Sequence, residues 1–184
     1  MRRIHFFAAT VLLFLASNAV AGGFQLTSTS LKENETLPAR QVFRGFGCTG
    51  DNISPQLSWQ GEPAATKSFA ITVYDPDAPT GSGWWHWLVF NIPADVHSLP
   101  ENSGNLKSGL MPKHAIQART DFGSPGYGGA CPPAGNPSHR YQFIVWALDV
   151  GKLPLTVESS GAMLGFNLQQ HTLGKAELTV KYGR

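Results

Sequence analysis

The sequence predicts an all-β fold of two packed sheets, with short helices late in the chain, and three observations predict it. Twenty glycines and 13 prolines are spread over 184 residues and cut any long helix. They follow no collagen or low-complexity period, so they mark turns between short strands. Several segments carry strand patterning, whereas only one stretch reads as helix. The 42% apolar content fills one sizeable core in a chain too short for two comfortable domains. One domain over residues 22–184 is expected.

The first 21 residues are set apart from that domain. Arg2 and Arg3 precede the apolar run Phe6 to Ala16, and Ala19-Val20-Ala21 closes the segment. This order of charged start, apolar centre and small-x-small end predicts a cleaved signal peptide over 1–21. A membrane span needs about 20 apolar residues, and this run is too short. The mature chain is then expected to begin near Gly22, in the periplasm of a bacterium or outside the cell.

The elements follow in order. Phe24 to Thr29 alternates loosely and reads as a first strand. Residues 44–59 are turn-rich. Lys67 to Tyr74 alternates cleanly, with Phe69, Ile71 and Val73 on one face, and reads as a strand. Pro76, Pro79, Gly81 and Gly83 make the next stretch a loop. Trp84 to Ile92 is an apolar run of strand length, so both its faces are expected to be covered. Residues 100–138 form a long irregular excursion rich in glycine and proline, a place where function is often carried. Arg140 to Asp149 is the third clear strand. Ser160 to His171 reads as a short helix with Ser159 or Ser160 as its cap. Ala176 to Tyr182 is a closing strand. Most of the five tryptophans are expected in the core.

Charge and cysteine content narrow the function. Without Arg2 and Arg3 the 14 basic side chains become 12, against 12 acidic ones. That balance supplies neither the basic face that nucleic-acid binding needs nor a polybasic membrane anchor. Cys48 and Cys131 are the only cysteines, and in an oxidising compartment a disulfide between them is the default. It would close a loop worth roughly 4–5 kcal/mol in chain entropy. A reactive thiol or a metal site is the alternative, but the pair lacks CxxC spacing.

Three segments place polar groups among apolar neighbours. Asp75 and Asp77 end a core strand in a proline-stiffened turn, where they serve either chemistry or the turn's own N–H groups. His86 sits between Trp85 and Trp87; a lone histidine there is either a satisfied core residue or a ring held by a nearby carboxylate. The run Tyr127 to Tyr141 is glycine- and proline-rich, and its small residues would let backbone N–H groups approach a ligand. Strand alternation puts His139 and Tyr141 on one face and Arg140 on the other.

Asp75-Pro76-Asp77-Ala78-Pro79, the histidine-bearing strand Trp84 to Asn91 and the run Gly128 to Tyr141 together resemble the phosphatidylethanolamine-binding protein family, also called the Raf kinase inhibitor-like family. Residues 46–59 are similar to the N-terminal signature of its bacterial branch, and the leader resembles its exported type. The resemblance covers nearly all of the expected mature domain, in order. It implies an antiparallel β-sandwich with a few short helices and a small anion pocket for phosphate-like groups or phospholipid head groups. By motif position the ligand-binding residues are Asp75, Asp77, His86, Pro132, Pro133, His139 and Tyr141. Arg140, on the other face, is expected in a structural ion pair. Cys131 stands where many members have glycine, so a bridge to Cys48 would stiffen the rim. The resemblance also implies a homodimer and partner modulation, with the protein partner unspecified.

Two carboxylates beside an anion require compensation. Either an Asp accepts from His86 and favours its protonated ring, or one Asp is itself protonated; both versions expect tighter phosphate binding at pH 5.5 than at pH 8. The competing reading is a hydrolase or metal enzyme using Asp75, Asp77, His86 and His139. It lacks an HExxH-like ligand spacing and a GxSxG nucleophile. A binding protein without catalytic residue, metal or cofactor is therefore expected. His97, His114 and His171 are given no role.

Overall fold

The computed structural model describes residues 23–184. The expected signal peptide lies outside the described residues. The elements in chain order are β1 (Gln25–Thr27), a 3-10 turn (Ala39–Gln41), β2 (Arg44–Gly45), β3 (Cys48–Thr49), β4 (Leu57–Gln60), β5 (Ser68–Asp75), β6 (Trp84–Pro93), β7 (Ser98–Leu99), β8 (Ile116–Gln117), β9 (His139–Leu148), α1 (Gly161–His171) and β10 (Thr172–Tyr182). A five-stranded sheet has the order β10-β9-β5-β6-β8, a three-stranded sheet the order β1-β4-β7, and β2-β3 is a hairpin. Every strand pairing in them is antiparallel.

The large sheet is covered on both faces, which is why β6 reads as a nearly continuous apolar run and why β5, whose sequence alternates, is buried at almost every position. Phe69, Ile71 and Val73 of β5 join Trp87 and Val89 of β6 and Phe143 and Val145 of β9 on one face. That face packs on Leu26, Leu57, Trp59 and Leu99 of the small sheet. Fully burying each such side chain contributes about 1.5–3 kcal/mol. The alternate residues Ala70, Leu88 and Phe90 face the other way and pack beneath Leu164 and Leu168 of α1.

Ser160 caps α1, its hydroxyl accepting from the Met163 N–H at 3.2 Å. A Cβ on Gly161 would lie 2.3 Å from the Trp85 indole, so only glycine lets the helix start this close to the sheet. Two expectations shift. The closing strand begins at Thr172, four residues earlier than its alternation suggested, because it pairs with β9 as soon as the helix ends and absorbs an irregularity at Gly174. A helical turn also occurs early, at Ala39–Gln41.

The pairing of β5 with β6 slips twice, between Phe69 and Ile71 and between Val73 and Tyr74. The first slip accommodates Asn91, whose φ of 59° lies in the left-handed region. Its side chain accepts from the Leu153 N–H at 2.7 Å and so ties the loop before α1 to the sheet. The second slip falls at His86: Val73 faces Trp87 and Tyr74 faces Trp85, leaving His86 as the extra residue. This bulge sits where the end of β5, the start of β6 and the start of β9 meet.

Candidate functional site

That meeting point encloses a cavity of about 210 Å³ lined by Asp75, His86, His139 and Tyr141 from the sheet. Phe46 comes from the β2–β3 turn, Ala78, Pro79 and Thr80 from the β5–β6 loop, Trp84 from the first position of β6, Phe122 from the irregular excursion, and Cys131, Pro132 and Pro133 from the segment before β9. The three separate stretches singled out in the sequence therefore converge. Of the seven candidate ligand residues, six line the cavity.

Asp77 does not. Its carboxylate turns to Arg140, accepting from the backbone N–H at 2.8 Å, from Nε at 2.9 Å and from Nη2 at 2.6 Å. The physical reason is reach: Asp77 lies two residues past the strand end, over the outward face of β9, where Arg140 points. Arg140 holds the Asp77 carboxyl at about 2, below its ordinary 3.8. The pair is partly solvent-exposed, Arg140 by 52% and Asp77 by 29%. A depressed carboxyl stabilises the fold above pH 3.8, and that contribution is lost as pH falls through about 2. In Arg140→Met the Asp77 carboxyl is expected to titrate near its ordinary value, as read by side-chain NMR; a carboxyl still titrating near 2 would contradict the pairing.

Asp75 is almost completely buried, and both its oxygens are engaged. Oδ2 pairs with His139 Nδ1 at 2.7 Å, and Oδ1 accepts from the Asp77 N–H at 2.9 Å. The carboxylate expected on His86 is therefore on His139. Strand register explains this. Tyr74 lies opposite Gln142, so Asp75 sits one step on, with His139 its diagonal neighbour on the same face.

His86 instead donates from Nδ1 to the Gly128 carbonyl at 2.7 Å. Burial pulls its imidazole below the ordinary histidine range, against the opposing pull of the Gly128 carbonyl and the Asp75 charge. The ring is neutral at pH 7, and a proton gained would put a positive charge on the cavity wall. Its ring meets Tyr141 and Phe122 edge-on, at 5.2 and 5.4 Å between centroids.

Two polar atoms of the lining have no protein partner. The Tyr141 hydroxyl is buried and unbonded, and so is the Trp84 indole N–H. Burial first, then the Asp75 charge and the approach of the Asp75 carboxylate to the hydroxyl, keep Tyr141 protonated far above the usual tyrosine range. Buried donors without partners are rare because each costs about 1–3 kcal/mol of desolvation.

The glycines of the run before β9 act differently from expectation. The Gly128 N–H donates to the His86 carbonyl at 2.9 Å, and the Gly129 N–H donates to Asn52 Oδ1 at 2.7 Å. A Cβ on Gly129 would lie 2.2 Å from the Gln41 carbonyl. These residues bring backbones together behind the cavity rather than offering amides to its interior.

Sequence reasoning did not place Phe46, Thr80, Trp84, Phe122 or Asn52 at the site. Phe46 and Gly47 have φ of 53° and 84° and form the two-residue turn of the β2–β3 hairpin. Phe46 is 70% exposed, a position bulky side chains seldom take in the left-handed region. With Phe43 and Phe122 it forms an aromatic shelf, ring centroids 4.5–6.0 Å apart. The signal was present in the phenylalanine set between Gly45 and Gly47 in a turn.

The expected disulfide is present between Cys48 and Cys131, an 83-residue separation. It joins the hairpin that carries Phe46 to the segment that carries Pro132 and Pro133. Among the described residues no three His, Cys, Asp or Glu side chains gather as a metal-binding group, and no helix is long and apolar enough to cross a membrane.

Comparison with known proteins gives one consistent result. The profile of the family described as phosphatidylethanolamine-binding protein matches residues 27–183. The chain is 53% identical to the UPF0098 protein YbcL of Escherichia coli over 174 residues, 95% of each chain. It is 52% identical to YbhB of the same organism over 160 residues, 86% of this chain and 99% of that one. The crystal structure of E. coli YbcL superposes with a TM-score of 0.87 over 89% of this chain and 99% of that one. A homologue from Chlamydia trachomatis superposes with a TM-score of 0.73 at 30% identity, over 88% of this chain and 98% of that one.

Proposed function

Because the chain belongs to the phosphatidylethanolamine-binding protein family, we propose that its cavity holds the phosphate-like end of a small anion or of a phospholipid head group. The observation that carries this reading is the buried Tyr141 hydroxyl in the lining, left without a hydrogen bond although the Asp75 carboxylate lies beside it. A ligand oxygen would satisfy that donor, and the Trp84 indole N–H offers a second. A cavity of about 210 Å³ is smaller than the roughly 300–1,000 Å³ of sites for drug-sized ligands. It suits a head group, with the rest of a larger ligand lying over the exposed Phe46 and the half-buried Phe122.

Charge compensation comes from His86. The ring is neutral in the free protein and gains its proton as the anion arrives, so binding takes up a proton. Affinity then rises as pH falls through the interval between the depressed free value and the higher bound value. The stability sign is opposite: a buried neutral histidine stabilises the fold above its ordinary pKa of 6.5, and that contribution is lost as pH falls below it. Calorimetry with sulfate, whose own charge is constant across this range, isolates the protein's proton. Binding is expected to be about tenfold tighter at pH 5.5 than at pH 8, one pKa unit's worth of coupling. His86→Gln should bind weakly at both values. Equal wild-type affinity at the two pH values would reject this charge account.

The same reading makes the protein a binder rather than an enzyme, acting on a partner protein through the occupied or empty cavity. It also places the mature chain in the periplasm or outside the cell, supported by the leader sequence and by the disulfide. Sequencing of the mature N-terminus tests export, with a start near Gly22 expected. Sedimentation velocity tests the homodimer.

A further inference from the structure

Arg184 lies at the rim of the cavity and touches two of its wall segments at once. Its Nε donates to the Pro132 carbonyl at 2.7 Å. Its Nη2 and Nη1 donate to the carbonyls of Phe46 and Gly47 at 3.2 and 3.4 Å. Its own carbonyl accepts from the Gly135 N–H at 3.0 Å, which fixes the backbone that projects the side chain. Phe46 and Pro132 both line the cavity, yet they are far apart in the chain. The Cys48–Cys131 disulfide links the same two segments, next to the residues that Arg184 holds.

We infer that Arg184 is a positioning residue: its guanidinium latches the β2–β3 turn to the Pro132–Pro133 segment and sets the opening of the cavity between Phe46 and the proline pair. A guanidinium suits this task because its donors are fixed in one plane and can serve several acceptors in set directions. A lysine ammonium at the same place would keep the charge but would lack the planar fork that reaches both segments. The disulfide acts at Cys48, beyond the turn, and not on Phe46 or Gly47 themselves. The bonds to Phe46 and Gly47 act on the turn itself, where a left-handed aromatic residue needs external support.

The ligand readout of this inference rests on the anion reading above, and a second readout does not. Sulfate binding at pH 5.5 is measured by calorimetry for the wild type, Arg184→Ala and Arg184→Lys, with native-state hydrogen exchange over residues 45–48 in each. Both variants are expected to bind at least fivefold more weakly than wild type, with exchange over 45–48 accelerated at least tenfold and Tm nearly unchanged. Should Arg184→Ala fail to fold, Arg184→Gln takes its place. Wild-type affinity in Arg184→Ala would overturn the latch, and so would full rescue by Arg184→Lys, which would leave charge alone as the cause. If the wild type itself binds no sulfate, the anion reading falls, and exchange alone decides the latch: unchanged exchange in Arg184→Ala overturns it, accelerated exchange sustains it.

Discussion

Asp75→Ala is expected to cost about 3–5 kcal/mol of stability, because it breaks a buried pair and leaves its partners behind. His139 and Asp75 side chains are each only 4% exposed, so the contact that is lost is one made out of bulk water. The His139 ring would lose its acceptor, and the Asp77 N–H, which opens the turn toward Arg140, would lose its own. Urea unfolding should show a lower midpoint with an unchanged slope, since the surface exposed on unfolding is the same. Asp75→Asn is the control. Its amide oxygen can still accept from the Asp77 N–H, and its amide nitrogen can donate to the other His139 tautomer. It should therefore cost only about 1–2 kcal/mol. Asp75→Ala within 1 kcal/mol of wild type would mean that the pair is not what holds this end of β5 to β9.

The same pair marks what the sequence could and could not reveal. Clean alternation over Lys67–Tyr74 and the strand pattern of Arg140–Asp149 made these strands legible, and strand alternation put His139 and Tyr141 on one face and Arg140 on the other. It did not reveal which strands are neighbours. Asp75 and Asp77 are close to His86 in sequence, which suggested a carboxylate on that ring. In space, β5 lies between β6 and β9, and the diagonal step across to β9 brings His139 to Asp75. His86 was misleading for a second reason. Counting alternate residues back from Trp87 points His86 toward the α1 side of the sheet. The bulge between Val73 and Tyr74 adds one residue and returns it to the cavity face. A bulge leaves no period in the sequence, so only pairing register exposes it. Asp77, by contrast, was placed in the cavity by motif position alone. Arg140, read correctly as an ion-pairing residue, is the group that draws it away.

Removing the disulfide with Cys48→Ser/Cys131→Ser is expected to destabilise the protein by about 4–5 kcal/mol, because the bridge constrains an unfolded loop of 83 residues. Domains of this size are stable by only about 5–15 kcal/mol, so the variant would fold but lie close to the margin. At about 2–4 °C per kcal/mol, Tm should fall by roughly 8–20 °C. The native fold should survive, because other bonds join the same segments: the Phe43 N–H donates to the Ala130 carbonyl at 3.0 Å, and Val42 bridges to Ala130. The loss therefore falls mainly on the unfolded chain. That makes a kinetic expectation as well, since closing so distant a pairing without the covalent link must precede the contacts that reward it. Refolding of the variant should slow more than unfolding accelerates. A loss below about 2 kcal/mol would show that the unfolded chain already holds these segments near each other. Fast refolding with accelerated unfolding would instead place the bridge's effect in the native hairpin, where it would act on Phe46 and the cavity mouth rather than on the chain's freedom.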